Sequence, residues 1–174
     1  MLHPLHLAVG KAIGQRVDSS VDLICDEACG GQQHIPLFHG DNRARATQFC
    51  KVDLLLLKAE KVQVIVEIEE SGFNPTKICG KFLTSALATH YIHGRESTKA
   101  QYGSKVLFVQ ILDGSKLSNR GTSKQSQCKL IESQINSLLP LKGSSISKYR
   151  LFIIDGPGDK KRLADAAQAV ASFV

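Results

Sequence analysis

Residues 52–69 carry two apolar runs, Val52-Asp-Leu-Leu-Leu-Leu57 and Val62-Gln-Val-Ile-Val-Glu-Ile-Glu69, joined by Lys58-Ala-Glu-Lys61. No other stretch narrows the folding options as much. Short apolar, β-branched runs on either side of a brief polar turn read as a β-hairpin. Its strands are too apolar to lie in solvent, so the rest of the chain must cover them.

The remaining pattern supplies that cover. Residues 3–29 read as one or two helices on an imperfect stripe of Leu5, Val9, Ile13, Val17, Val21 and Leu23, ended by Gly30-Gly31. Residues 34–38 read as a short strand and His39-Gly-Asp-Asn as a turn, and an extended segment runs from residue 44 into the hairpin. Asn74 is a capping residue and Pro75 suits the first helical position, so a helix starts there. Its expected buried face is Ile78, Phe82, Leu83, Ala86 and Leu87, with an end near Gly94. Residues 105–113 read as a buried strand and 114–123 as a loop. Cys128, Ile131, Ile135, Leu138 and Leu139 mark a helix stopped by Pro140. Residues 149–155 form another strand and 159–173 a last helix. Strand–helix segments after an antiparallel hairpin predict an α/β fold. The expected architecture is a three-layer sandwich with a central mixed sheet and helices on both faces, in one domain spanning residues 1–174.

Composition bounds the partners. Lys and Arg number 22 against 16 Asp and Glu, a formal charge of +6 that favours an anionic partner, nucleic acid first. With no Trp and 6% aromatic residues, a single-strand binder built on stacking platforms is disfavoured. A binder that tracks a duplex backbone needs cations, not rings. No apolar run approaches the roughly 20 residues of a membrane helix, and Met1-Leu-His-Pro lacks a secretory leader pattern, so a cytoplasmic protein is expected. Five cysteines without paired short spacings read as reduced thiols. Cys25-x3-Cys29 followed by His34 lacks a second ligand pair for zinc; on a helix the two thiols simply share a face.

The chemistry-bearing residues lie on the hairpin. On the second strand Val64, Val66 and Ile68 form an apolar face, while Glu67 and Glu69 project together from the other at the carboxyl end. On the first strand Asp53 intrudes on an apolar run. An even pairing register sets Asp53 opposite Glu67; an odd register turns it away unless a bulge restores it. Acids sharing such a patch repel one another and lose hydration. A hard dication such as Mg²⁺ compensates, taking one or two carboxylates, waters and a substrate phosphate. The alternatives are glutamates standing in solvent beyond the sheet, and an Asp53 that caps a loop or pairs with Arg43 or Arg45.

These residues resemble the restriction-endonuclease-like superfamily, whose motif is Pro-Asp…(Asp/Glu)-x-Lys. The likeness covers residues 51–69 by motif and nearly the whole chain by element order. It implies that Asp53, Glu67 and the backbone carbonyl of Ile68 hold Mg²⁺. Val52 stands where the motif has Pro, and Glu69 where it has Lys. The resemblance leaves Glu69 as a further metal ligand or as a general base acting through water. A lysine from the following helix is the other way to complete the site. Lys77 and Lys81 are four apart and share a face, positioned to meet the acids or a phosphate, or to stand in solvent.

Arg43 and Arg45 precede the Asp53 strand and suit phosphate oxygens, or serve only to solubilise an edge. His93-Gly-Arg95 and Lys99 continue a basic fringe. The segment from Gly156 to Arg162 lacks the spacing of a phosphate-binding loop and reads as a strand-to-helix turn. Expected catalytic residues are therefore Asp53, Glu67, Glu69, Lys77 and Lys81, with Arg43, Arg45, Lys77 and Lys81 on DNA. The expected activity is Mg²⁺-dependent hydrolysis of DNA phosphodiesters, restriction-type or repair-type. A homodimer fits best, since two strands want two sites. The competing reading is an inactive DNA-binding or protein-interaction module on the same fold.

Overall fold

The computed structural model describes residues 3–93, 99–115, 117 and 123–174. The hairpin is formed by β4 (Leu54–Lys58) and β5 (Lys61–Glu69). Its turn is two residues long, with Ala59 at φ 49° and Glu60 at φ 59°. Two successive left-handed residues match the right-handed twist of the flanking strands. The turn sets Lys58 opposite Lys61 and Leu57 opposite Val62, an odd register that alone would turn Asp53 away from Glu67. A bulge at Gln63 corrects it: Leu56 faces Val64, Leu55 faces Ile65 and Leu54 faces Val66. The regular ladder ends at Leu54; beyond it the Asp53 N–H donates to the Val66 carbonyl, and the Asp53 carboxylate lies near enough to act on Glu67.

The bulge also sorts the core. Leu57 and Val62 pack with one cluster and Leu56 and Val64 with the other, on the opposite face of the sheet. One face is covered by α1 (Pro4–Gly14) and α4 (Lys160–Ala171), whose Leu5, Val9, Ile13, Leu163 and Val170 meet Leu54, Leu56, Val64, Val66 and Ile68. The other is covered by α2 (Pro75–Leu87) and α3 (Ser123–Leu138). There Phe82 lies edge-on to Phe108 and Tyr149, with ring centroids 5.8 and 5.5 Å away.

The sheet is mixed and open, in the order β1-β4-β5-β7-β6-β2-β3, with β8 also on β7. Here β1 is Val21–Cys25, β2 Ile35–Phe38, β3 Gln48–Val52, β6 His90–Ile92, β7 Lys99–Asp113 and β8 Ile146–Ile154. Strand β7 is parallel to β5 and β8, and its first residues pair antiparallel with β6. One β5 step, Val62 to Val64, spans Tyr102 to Leu107 on β7, so β7 bends there. Gly103 lies in that bend, where a Cβ would stand 2.8 Å from the Gln63 amide.

The expected α/β class holds, with four helices among the described residues distributed over both faces. Several local expectations change. The second half of residues 3–29 is not helical: Val21–Cys25 is an edge strand on β4, because its β-branched residues find a ladder partner there. Cys25 therefore ends a strand, and Cys29 sits in the following turn with its N–H donating to Asp26 Oδ1. That turn rests on α1 at Gly10, where a Cβ would meet the Cys29 carbonyl oxygen at 2.7 Å. All five cysteines are free thiols. Helix α2 ends at Leu87, before Gly94, since β6 must begin at His90 to pair with β2. Ile78, Phe82 and Ala86 are buried as expected, but Leu83 and Leu87 are about half exposed and Ser85 is buried in their stead. Strand β7 begins at Lys99, earlier than residue 105. Gly94, Arg95 and most of the 114–123 loop lie outside the described residues. Among the described residues, no helix is long and apolar enough to cross a membrane.

Candidate active site

Alternation along β5 sends Val66 and Ile68 toward α1 and α4, and Ile65, Glu67 and Glu69 toward α2. Both glutamates are buried. Their counter-charges come from α2. Asn74 Oδ1 accepts the Lys77 N–H at 2.9 Å and Pro75 occupies the first turn, which fixes where the helix starts. One turn apart, Lys77 and Lys81 then overlie the acids. Lys77 Nζ is 2.5 Å from Glu69 Oε2, and Lys81 Nζ is 2.6 Å from both Glu67 Oε2 and Glu69 Oε1. Of the two positions open to these lysines, the structure gives the one against the acid cluster.

Asp53 is a break between β3 and β4. Its N–H donates to the Val66 carbonyl, its own carbonyl accepts the Asp26 N–H, and its Oδ2 accepts the Ile68 N–H at 2.6 Å. In a strand, the N–H and C=O of one residue leave on the same side. The Ile68 carbonyl therefore lies on the Asp53 side of β5. The charges are uneven: three carboxylates, Asp53, Glu67 and Glu69, face the ammonium groups of Lys77 and Lys81.

The electrostatics follow from burial. Burial pushes Glu67 from its ordinary 4.5 up to about 8, with Asp53 adding to the rise, Lys81 opposing it and Glu69 adding again. Burial also raises Asp53, against the pull of His6, the Ile68 N–H and Lys81. For Lys81 burial alone would lower the pKa, but Glu67 and Glu69 more than reverse it and hold the ammonium above the ordinary lysine range. Glu67 Oε2 is bonded to Lys81, while Oε1 is buried and no donor among the described residues reaches it. The thiol of Cys50, on β3, lies 3.5 Å from the Ser85 hydroxyl. Burial raises it to about 11 despite the Ser85 bond, with Glu67 contributing, so it is a neutral thiol at physiological pH.

Three residues at this end of the sheet have no counterpart in the sequence reading. Glu70 follows the two glutamates but turns to the α1 face. Its Oε1 accepts the Leu5 N–H at 2.7 Å and the His6 N–H at 3.1 Å, capping α1 from another element. His6 is buried; its Nδ1 meets Glu70 Oε1 at 3.1 Å and its Nε2 is 3.8 Å from Asp53 Oδ2. Despite burial, those hydrogen bonds hold Glu70 below its ordinary pKa. His3 Nδ1 is 3.7 Å from Glu70 Oε2. The only sequence signal was two histidines three apart around a helix-opening Pro4.

Arg43 and Arg45 lie elsewhere, lining a groove of about 440 Å³ with Phe38 and Gln48 at the start of β3, the length of that strand from Asp53. Lys99 pairs with Asp41 at 3.1 Å and His93 with the Tyr91 hydroxyl at 2.6 Å. Asp159 caps α4 through the Arg162 N–H, and Arg162 pairs with Asp155, so this segment is a capped strand-to-helix turn. No protein-family model, curated protein or solved structure matches the chain.

Proposed function

We propose that the chain is a Mg²⁺-dependent endodeoxyribonuclease of the restriction-endonuclease-like class, with Asp53, Glu67 and the Ile68 carbonyl as its metal ligands. The observation that carries this reading is Glu67, 1% exposed, with one oxygen lacking any donor among the described residues and a second buried carboxylate beside it. Such an arrangement is costly in the absence of a compensating charge. An all-oxygen donor set is the one that Mg²⁺ selects.

The departure at Glu69 also finds an explanation. Where the family motif delivers an ammonium from the strand, α2 delivers Lys81 to the same acids. Kept protonated by its two glutamates, Lys81 acts as a fixed positive charge toward a scissile phosphate and not as a base. Lys77, 42% exposed, holds Glu69 and faces outward to a DNA backbone. Glu69 serves as the acceptor for a proton passed through water. When bound, Mg²⁺ supplies activation of that water and stabilisation of charge on a phosphoryl oxygen. Net charge of +6 supports DNA as the partner, and cutting both strands calls for a second copy of the chain.

One observation favours the inactive module instead: Glu69 already has two lysines within 2.6 Å, a pairing that ties α2 to β5 with no ion required. Plasmid DNA incubated with the chain in Mg²⁺ or in EDTA separates the two. The enzyme nicks or linearises DNA only with Mg²⁺, and Glu67→Ala binds DNA without cutting it. A module binds and never cuts, with Glu67 or without it.

A further inference from the structure

The cap on α1 uses only one oxygen of Glu70. Oε1 receives the Leu5 and His6 N–H groups, which leaves Oε2 facing His3. The His3 side chain makes no capping hydrogen bond, yet its ring stands edge-on to His6 with centroids 5.1 Å apart. The three side chains offer ligand atoms that all lie within 4.8 Å of one another. Two imidazoles and a carboxylate are a donor set that suits a borderline dication of the Zn²⁺ class, with a fourth position left to water. The edges of a tetrahedral zinc shell measure about 3.3 Å. His3 Nδ1 to Glu70 Oε2 at 3.7 Å stands near that spacing, and His6 Nδ1 lies 3.1 Å from the other oxygen of the same carboxylate. His3 is 40% exposed and has room to adjust.

We propose that His3, His6 and Glu70 form a second metal site, selective for Zn²⁺-class ions and separate from the acid cluster. With His6 bound through Nδ1, its Nε2 is left 3.8 Å from Asp53 Oδ2, outside hydrogen-bond reach. The ion pins the start of α1 to the end of β5. The site goes beyond the nuclease reading and does not depend on it.

Calorimetric Zn²⁺ titration of the untagged chain, with Co²⁺ absorption as a check on coordination, tests the site. One Zn²⁺ binds per chain, His3→Ala weakens it at least tenfold, and Glu67→Gln leaves it within threefold. Glu70→Gln weakens it too but also removes the cap on α1, so His3→Ala, at an exposed side chain, is the deciding variant once its melting temperature matches the parent. Unchanged Zn²⁺ affinity in His3→Ala overturns the proposal, as does Zn²⁺ binding lost in Glu67→Gln, which would put the ion in the acid cluster. Mg²⁺-dependent DNA cleavage, assayed in parallel, reports on the nuclease reading alone.

Discussion

The Ile68 N–H donates to Asp53 Oδ2 at 2.6 Å, so the backbone of one hairpin strand fixes the carboxylate carried by the other. The bond forms where the β4 ladder stops and the chain bends into β3. Asp53→Asn keeps an oxygen for Ile68 and removes the charge. It should leave the melting temperature within a few degrees of the parent while lowering Mg²⁺-dependent cleavage at least 100-fold. Cleavage that survives the substitution would remove Asp53 from the site.

The two lysines on α2 should behave differently. Removing Lys81 leaves Glu67 and Glu69 without their shared partner in a buried place, and Lys81→Met should destabilise the fold by about 2–3 kcal/mol. Lys77 is more exposed, and its loss leaves Glu69 paired to Lys81, so Lys77→Met should cost under about 1 kcal/mol. Urea denaturation of both variants checks the order. Equal effects would mean that Lys81 is not the centre of the cluster.

The hairpin turn holds two non-glycine residues at positive φ, a conformation that costs an L-residue about 1–2 kcal/mol. Asn-Gly is the pair that this turn geometry favours. The double substitution Ala59→Asn, Glu60→Gly should stabilise the fold by about 1 kcal/mol without changing activity. A destabilised variant in chemical denaturation would argue against the two-residue turn and the register that follows from it.

Much of this arrangement is legible in the residues. The hairpin, the Asn74-Pro75 helix start and the four-residue spacing of Lys77 and Lys81 each depend on local chemistry and local periodicity. The register does not: parity counting leaves two possibilities, and the choice depends on a bulge at Gln63, whose side chain lies against Gly103 on β7. Val21–Cys25 reads equally as helix because five residues are too few to separate the two periods; its strand character comes from pairing with β4. Glu70 and His6 are invisible for a similar reason. They lie 64 positions apart, and only the packing of α1 on β5 brings them together.

Glu67 gives the sharpest test, because its burial acts on stability and on activity in opposite senses. The carboxyl is raised from 4.5 to about 8, so between those values the folded chain holds a proton that the unfolded chain has lost. Stability in EDTA must therefore fall as pH rises from about 4.5 through 8, and it is unaffected by this group below that window. Glu67→Gln removes the titration while keeping an oxygen for Lys81. The variant and the parent should be equally stable at pH 4, and the variant should be more stable by up to about 4 kcal/mol at pH 8, because a raised carboxyl costs about 1.4 kcal/mol per unit across that window. Added Mg²⁺ should raise the parent's melting temperature at pH 8 and leave the variant's unchanged, since an ion that binds only the folded site shifts unfolding by mass action. Cleavage should be lost in the more stable protein. Guanidinium denaturation at the two pH values, with and without Mg²⁺, measures every part of this; a variant less stable than the parent at pH 8 would mean that Lys81 alone satisfies Glu67 and that the cluster is an ordinary buried ion pair.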